Sequence, residues 1–310
     1  MLAEVETALR AAVYTDDEFL AVAGRYLVEA GGKRFRPLVT VLAAHLGDPS
    51  HPAIVPAAVV VELTHLATLY HDDVMDDAPV RRGAESANAR WNNTVAILTG
   101  DFLFARASDV LADLGPWAVR IQARTFERLV TGQIHETRGP VEGVDPIDHY
   151  LSVLADKTGS LIATAAEFGA RFAGADEPTI HAVRRYGEQI GVAFQLSDDI
   201  LDIAADSAHS GKTPGTDLRE GVATLPALYA LRSADVESER LHALLGRPLI
   251  DDAEHAEALE LLRHSTGLTQ ARETLRQYAE AARAELASLP HMPAKDGFDT
   301  LTQVVVDRTG

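Results

Sequence analysis

Residues 59–77 read VVVELTHLATLYHDDVMDD, and this stretch decides the architecture. Its first twelve residues are rich in apolar side chains and hold neither Gly nor Pro, so they read as a helix. At 3.6 residues per turn, Asp72 and Asp76 lie one turn apart on one face, and so do Asp73 and Asp77. Like charges at that spacing repel and weaken a helix unless something cationic stands between them. An oxygen-only ligand set suits Mg²⁺ or Mn²⁺ rather than zinc. For a single Asp-Asp-x-x-Asp, a solvated helix end is the other reading.

Outward from this stretch, apolar residues keep the same three- and four-residue spacing, through Leu38, Leu42, Ala43 and Leu46 and again through Leu259, Leu261 and Leu262. Ala, Leu, Glu and Arg fill these windows, while strand-length alternating runs with hairpin turns are missing. The fold class is therefore all-α. Turn residues break the pattern at 31–32, 47–52, 79–83, 115–116, 139–146, 174–178, 207–215, 246–252 and 289–297, cutting the chain into about ten helices. No break is long or biased enough for a linker, so residues 1–310 read as a single domain.

Composition narrows the function. The 310 residues are 46% hydrophobic and 24% charged, enough for a sizeable core. There is no cysteine, which excludes disulfides, thiolate metal sites and cysteine nucleophiles and points to a cytoplasmic address. With 46 Asp and Glu against 28 Lys and Arg the net charge is −18, which repels phosphate backbones, so nucleic acid is not a partner. No run long enough to span a membrane is free of charge, and acids at Glu4 and Glu6 replace the basic start of a signal peptide.

A second stretch echoes the first: residues 196–202 read LSDDILD. Asp198, Asp199 and Asp202 follow Phe194, Gln195 and Leu196 in apolar surroundings where solvated aspartates are out of place. Two carboxylate walls can hold several divalent cations, and Mg²⁺ bound by few carboxylates completes its shell with substrate phosphates. The expected ligand is a diphosphate. Basic residues stand where it would need them, in GGKRFRP at 31–37, with Lys33, Arg34 and Arg36, and in Arg81–Arg82–Gly83. Either group alone also reads as a solvated turn. His65, two turns before Asp72 on the same face, is a phosphate donor or a satisfied core histidine. Lys157–Thr158–Gly159 and the segment 211–217, GKTPGTD, each pair a Lys with hydroxyls and glycines, and neither matches a Walker loop.

In this order the motifs resemble those of the trans-isoprenyl diphosphate synthases, or polyprenyl synthetases. The match runs through GGKRFRP, HDDVMDD at 71–77, RRG at 81–83, Gly100–Asp101, KTGSL at 157–161, FQLSDDILD at 194–202, GKTPGTDL at 211–218, TLP at 224–226 and VVDRTG at 305–310. The resemblance implies a helical barrel around a deep central cavity, with the two Asp-rich motifs at its mouth, in a homodimer. It implies that Asp72, Asp73 and Asp76 on one side and Asp198, Asp199 and Asp202 on the other hold more than one Mg²⁺, or Mn²⁺. Arg81, Lys157, Thr158, Gln195 and Lys212 would grip an allylic diphosphate, while Lys33, Arg36, His65 and Arg82 would hold isopentenyl diphosphate. Asp72, Asp76, Asp198, Lys157 and Arg81 would carry the catalysis.

The implied chemistry is ionisation of the allylic C–O bond as cations offset charge on the leaving diphosphate, attack by the isopentenyl alkene, and loss of a proton to that diphosphate. Water must be kept from the cation by apolar walls. One departure stands out: members often carry a Lys shortly before the TLP segment, whereas Val222 follows Gly221 here.

Short-chain members of the family often place bulky aromatics four or five positions before the first motif, whereas Ala67 and Thr68 stand there, with Thr64 and Leu63 the next turn down. Together with the rise of a helix turn, the resemblance implies a tail that passes this level and a product of about C30 to C50. The long product implies transient membrane contact on release. A geranylgeranyl or farnesyl diphosphate synthase is the shorter-chain alternative. Three rivals fit less of the chain. An HD-type phosphohydrolase would use His71–Asp72 but leaves the second cluster unexplained. A silent partner subunit would not need both clusters. A terpene cyclase of the same fold would not need Lys33, Arg36 and His65.

Overall fold

The computed structural model describes residues 1–204, 214–233 and 239–309. Sixteen α-helices run through the described residues, and the one sheet among them is a hairpin of two-residue strands, so the chain is all-α. Two compact units are distinguished, residues 1–127 with 161–187 and residues 128–160 with 188–310.

The first unit is built on α4 (Ile54–Met75), whose 22 residues are buried on most of its circumference, as expected of a helix apolar nearly all round. By length and composition this helix could cross a bilayer, but 67% of its apolar window is buried inside the molecule, which makes it a core helix. It packs against α1 (Leu2–Ala12), α3 (Phe35–Ala44) and, most extensively, α6 (Asn93–Asp113). Gly100 of α6 permits that approach: a Cβ there would stand 2.4 Å from the His71 Nε2 and 3.1 Å from the Ala67 carbonyl oxygen. Tyr70 ties α4 to α2 (Glu18–Glu29), its hydroxyl donating to the Ala23 carbonyl at 2.5 Å and accepting from the Leu27 N–H at 3.2 Å. A four-residue helix, α5 (Ala87–Arg90), precedes α6, and α7 (Pro116–Arg138) follows it.

In the second unit, α8 (Pro146–Leu154) runs into one π-turn, Ala155–Gly159, before α9 (Ser160–Phe172) begins. Arg128 of α7 fixes that turn by reaching Asp156 at 2.9 Å and Glu188 of α10 (Glu177–Ala204) at 2.7 Å. Beyond it come α11 (Thr216–Glu220), α12 (Leu225–Arg232), α13 (Glu239–Leu244), α14 (Asp252–His264), α15 (Thr266–Glu285) and α16 (Pro293–Asp307). Here α12 packs on α15, with the Tyr229 hydroxyl 2.8 Å from Thr274 Oγ1, and α15 packs on α16.

The helix breaks outnumber those marked by Gly and Pro, because several helices start on side-chain caps instead. Asp17 accepts from the Leu20 N–H, Asn92 from Val95 and Ser265 from Leu268, each satisfying a donor of the first turn. The hairpin is a second difference: Val80–Arg81 pairs with Ala84–Glu85, where the sequence reading has no strand. Its turn is Arg82–Gly83, both at positive φ (54° and 79°), the conformation that two-residue hairpins require.

Candidate active site

The first unit gathers the first Asp cluster and the basic residues around the end of α4. Asp72 is half-buried and Asp76, the C-cap, is exposed, while Asp77 follows with φ at +47°. Asp73 differs from both. It has no exposed surface, and its Oδ1 accepts from Arg81 Nε at 2.6 Å. Arg81 Nη2 also comes within 3.9 Å of Asp76 Oδ2. Asp73 therefore serves Arg81 as a buried counter-ion instead of standing with Asp72 and Asp76 on an open face. The sequence held a signal for this: Leu63, Leu66, Tyr70 and Asp73 recur at three- and four-residue spacing, and all four are fully buried.

The hairpin places the neighbouring guanidinium. Tyr26 donates to the Glu85 carbonyl at 2.8 Å, holding the hairpin on α2, and Arg82 donates to the carbonyls of Leu27, at 2.9 Å, and Gly31. Gly32 admits this: a Cβ there would lie 3.0 Å from the Arg82 guanidinium carbon. The two basic segments found in the sequence are thus brought into contact. Arg34 stands apart functionally, since it sits between Glu6 and the buried Glu62 (3.0 Å) and donates to the Val28 carbonyl at 2.8 Å, locking the turn to α1, α2 and α4. Lys33 is exposed and Arg36 is half-buried.

His65 is the focus of this cluster. Burial, and then the positive charges of Arg36, Arg82, Arg81 and Arg34, push its imidazole well below the usual histidine range, so it is neutral at physiological pH. His71 is engaged elsewhere, with Nε2 at 3.1 Å from the Ile97 carbonyl and 3.4 Å from Asp101, which removes the ligand that a His-Asp phosphohydrolase centre would need. Ala67, expected to line an open path below Asp72, instead has no exposed surface and belongs to the packed core with Leu63 and Leu66. Thr68 is the half-buried residue at this level.

The second unit carries the second cluster on α10. Asp198 is partly exposed and meets Arg308 Nη2 at 3.0 Å. Asp202 accepts from the N–H groups of Thr216 (3.2 Å) and Asp217 (3.3 Å), so it is tied to the start of α11. Asp199 is buried and accepts from the Tyr150 hydroxyl and from Gln195 Nε2 at 3.0 Å. Burial pushes its carboxyl up to about 7, with Asp198 and Asp202 adding to the rise and the two hydrogen bonds opposing it. As with Asp73, a carboxylate expected among open metal ligands is turned inward. Thr158 Oγ1 lies 3.5 Å from Gln195 Oε1, so both ends of the Gln195 amide are engaged. Lys157, in the π-turn, pairs with Glu136 at 2.6 Å. Lys212 lies outside the described residues, and Val222 is exposed, with its N–H on the Asp217 carbonyl at 2.8 Å.

Among the described residues no three Asp, Glu or His side chains converge to enclose a metal ion by themselves. The donor set still fits a hard cation. Asp76 is exposed, and Asp72, Asp198 and Asp202 are half-buried. Their carboxylates are the hard oxygen donors that Mg²⁺ takes, which is commonly bound by one or two carboxylates plus substrate phosphates. Sequence reasoning missed Tyr150, Glu136, Arg128 and the role of Arg308. Their partners lie 49, 21, 28 or 60, and 111 or 114 residues away, beyond any local signal.

Comparison with known proteins agrees on one family. A family model described as Polyprenyl synthetase matches residues 17–262. The chain is 53% identical over its whole length to the nonaprenyl diphosphate synthase of Mycobacterium tuberculosis, covering 92% of that protein. Among solved structures, a geranylgeranyl pyrophosphate synthase from Corynebacterium glutamicum, complexed with calcium and isoprenyl diphosphate, superposes with a TM-score of 0.89 at 46% identity, over 100% of this chain and 95% of that one. A decaprenyl diphosphate synthase from Rhodobacter capsulatus superposes with a TM-score of 0.90 at 33% identity, over 100% and 96%.

Proposed function

Because the chain belongs to the polyprenyl synthetase family, we propose that it condenses isopentenyl diphosphate with an allylic diphosphate into an all-trans polyprenyl diphosphate of C30–C50. The observation that carries this reading is the composition of one helix end. An accessible Asp72–Asp76 pair, suited to a metal-bound diphosphate, sits on the same helix as a neutral histidine under the influence of four arginines, suited to a metal-free one.

Mg²⁺ is the proposed cofactor, more than one ion, with Mn²⁺ as a substitute. Asp72 and Asp76 would hold ions in the first unit, and Asp198 and Asp202 would hold ions in the second. When bound, the ions supply positive charge that offsets the charge developing on the leaving diphosphate. Arg81 adds a guanidinium beside Asp76, and Lys157 adds an ammonium from the π-turn, a geometry that often marks functional positions. Thr158 and Gln195 orient that side of the site, and Lys212 completes the allylic set. Lys33, Arg36, His65 and Arg82 receive isopentenyl diphosphate.

Residues 1–310 are proposed to act as one domain, in a cytoplasmic homodimer with transient membrane contact at product release. Ile97 and Leu98, 42% and 60% exposed on α6, supply an apolar face for dimerisation. A geranylgeranyl-length product is the second reading, favoured by the 46% identity to the Corynebacterium enzyme.

The test is to incubate the protein with Mg²⁺, isopentenyl diphosphate and each of dimethylallyl, geranyl, farnesyl and geranylgeranyl diphosphate, and to measure product length. Products of C30–C50 support the first reading. Arrest at geranylgeranyl length supports the second, and cyclised or merely hydrolysed products refute both.

A further inference from the structure

The closing segment 305–310, VVDRTG, is part of the sequence signature, yet the proposed reaction assigns it nothing. In the fold its Arg308 returns to the second Asp cluster. Arg308, just past the end of α16, is 16% exposed in its side chain and reaches Asp198 Oδ1 at 3.0 Å. Its guanidinium has three further anchors on the same helix: Nε donates to Ser197 Oγ at 3.1 Å, Nη2 donates to the Phe194 carbonyl at 3.1 Å, and the group lies over the Phe194 ring at 4.6 Å. The next residue is fixed as well, because Arg272 donates to the Thr309 carbonyl at 3.1 Å.

This arrangement is asymmetric. Arg308 keeps a serine, a carbonyl and an aromatic face whether or not Asp198 is present, whereas Asp198, 41% exposed, can turn from it toward solvent. We propose that Arg308 is a built-in counter-ion that occupies Asp198 until a metal–diphosphate pair arrives, making cation binding at the second cluster depend on the diphosphate. The inference rests on the assignment of Asp198 to a divalent metal. Competition follows from elementary electrostatics: a guanidinium and a metal ion cannot both fully use one carboxylate oxygen, and a partly exposed ion pair is weak enough to exchange. A diphosphate brings the extra negative charge that tips the exchange toward the metal.

The experiment is calorimetric titration of Mn²⁺ into the full chain, with and without saturating inorganic diphosphate, for wild type, Arg308→Gln, Asp198→Asn and the double variant. Arg308→Gln is expected to bind Mn²⁺ alone about three- to five-fold tighter, the scale of losing an exposed-pair competitor. With diphosphate present, the difference should fall within about 1.5-fold, since the competitor is then already displaced. In the Asp198→Asn background the substitution should change nothing. Unchanged or weaker Mn²⁺ binding in Arg308→Gln, or the same tightening when Asp198 is already Asn, would overturn the proposal. If Asp198→Asn alone leaves Mn²⁺ binding unaltered, the metal assignment itself fails. Should Arg308→Gln not fold, Arg308→Lys keeps the charge but loses the planar fork. About two-fold tightening is then expected, and no change or a weakening counts against the proposal.

Discussion

Arg81 is assigned two duties, and one substitution with one partner variant separates them. It neutralises Asp73, which has no exposed surface, and it extends toward Asp76 at the proposed metal site. Arg81→Gln removes the cation and leaves a buried carboxylate. Breaking a fully buried pair costs about 3–5 kcal/mol, and because the Arg81 side chain is 28% exposed the expected loss here is smaller, about 2–3 kcal/mol. That corresponds to a fall in the melting midpoint of roughly 4–12 °C for a unit of this size. Adding Asp73→Asn removes the uncompensated charge, so the double variant should regain at least about half of the lost stability. It should not regain function: the Michaelis constant for the allylic diphosphate stays raised in both variants, since neither has a guanidinium beside Asp76. The assay is a melting curve by circular dichroism alongside steady-state kinetics with each substrate varied. A single variant that melts within about 1 °C of wild type, or a double variant less stable than the single one, would refute the counter-ion argument.

Further outcomes follow from the same geometry. Asp72→Ala and Asp198→Ala should each lower turnover at least about 10²-fold, and near-normal turnover of either at saturating Mg²⁺ would contradict the metal assignment. Lys33→Ala and Arg36→Ala should raise the Michaelis constant for isopentenyl diphosphate more than that for the allylic partner, whereas equal effects would dissolve the two-site division. The depressed His65 imidazole makes the fold bind fewer protons than the unfolded chain, so stability from this group is present above about pH 6.5 and is lost as pH falls below it. His65→Gln should flatten the dependence of the melting midpoint on pH between about 5 and 6.5, and an unchanged slope would show that His65 is not its source. Thr68→Phe, at the half-buried position, should shorten the product, while Ala67→Phe should destabilise the core by about 1–3 kcal/mol. Chromatography of the products together with melting curves checks both, and a stable Ala67→Phe protein with shortened product would restore Ala67 as the lining residue.

Most helices were legible because their apolar residues recur at helical spacing, whereas α4, apolar nearly all round and buried over most of its surface, was legible from its long run at 59–70 without Gly or Pro. Helix ends were legible only where Gly or Pro marked them. Where a single Asp, Asn or Ser did the work, as at Asp17, Asn92 and Ser265, the signal is one hydrogen bond that any surface residue of those types resembles in sequence. The acidic clusters could be found by composition, but not which members face inward. That choice is set by rotation of about 100° per residue, which carries Asp73 from the side of Asp72 to that of Leu66 and Tyr70. The π-turn at Ala155–Gly159 had no local mark, and the side chain that meets it at Asp156, Arg128, lies 28 residues away.

Charge location, not charge total, reconciles a chain of net −18 with substrates that are anions. Each cation near the end of α4 must be counted with what it touches. Arg34 is paired with Glu6 and Glu62, and Arg81 with Asp73, so part of the charge of each is offset. Arg82 differs, because it donates to the carbonyls of Leu27 and Gly31, acceptors that carry no charge and leave its own intact. Hydrogen bonds to neutral carbonyls fix a guanidinium in place without neutralising it. Lys33, exposed in the neighbouring turn, adds an ammonium to this guanidinium in an otherwise acidic protein. At the two Asp clusters carboxylates predominate, and in the proposed reaction a diphosphate would dock there with cations of its own. In the proposed reaction, that difference would distinguish the diphosphate that must leave from the one that must stay.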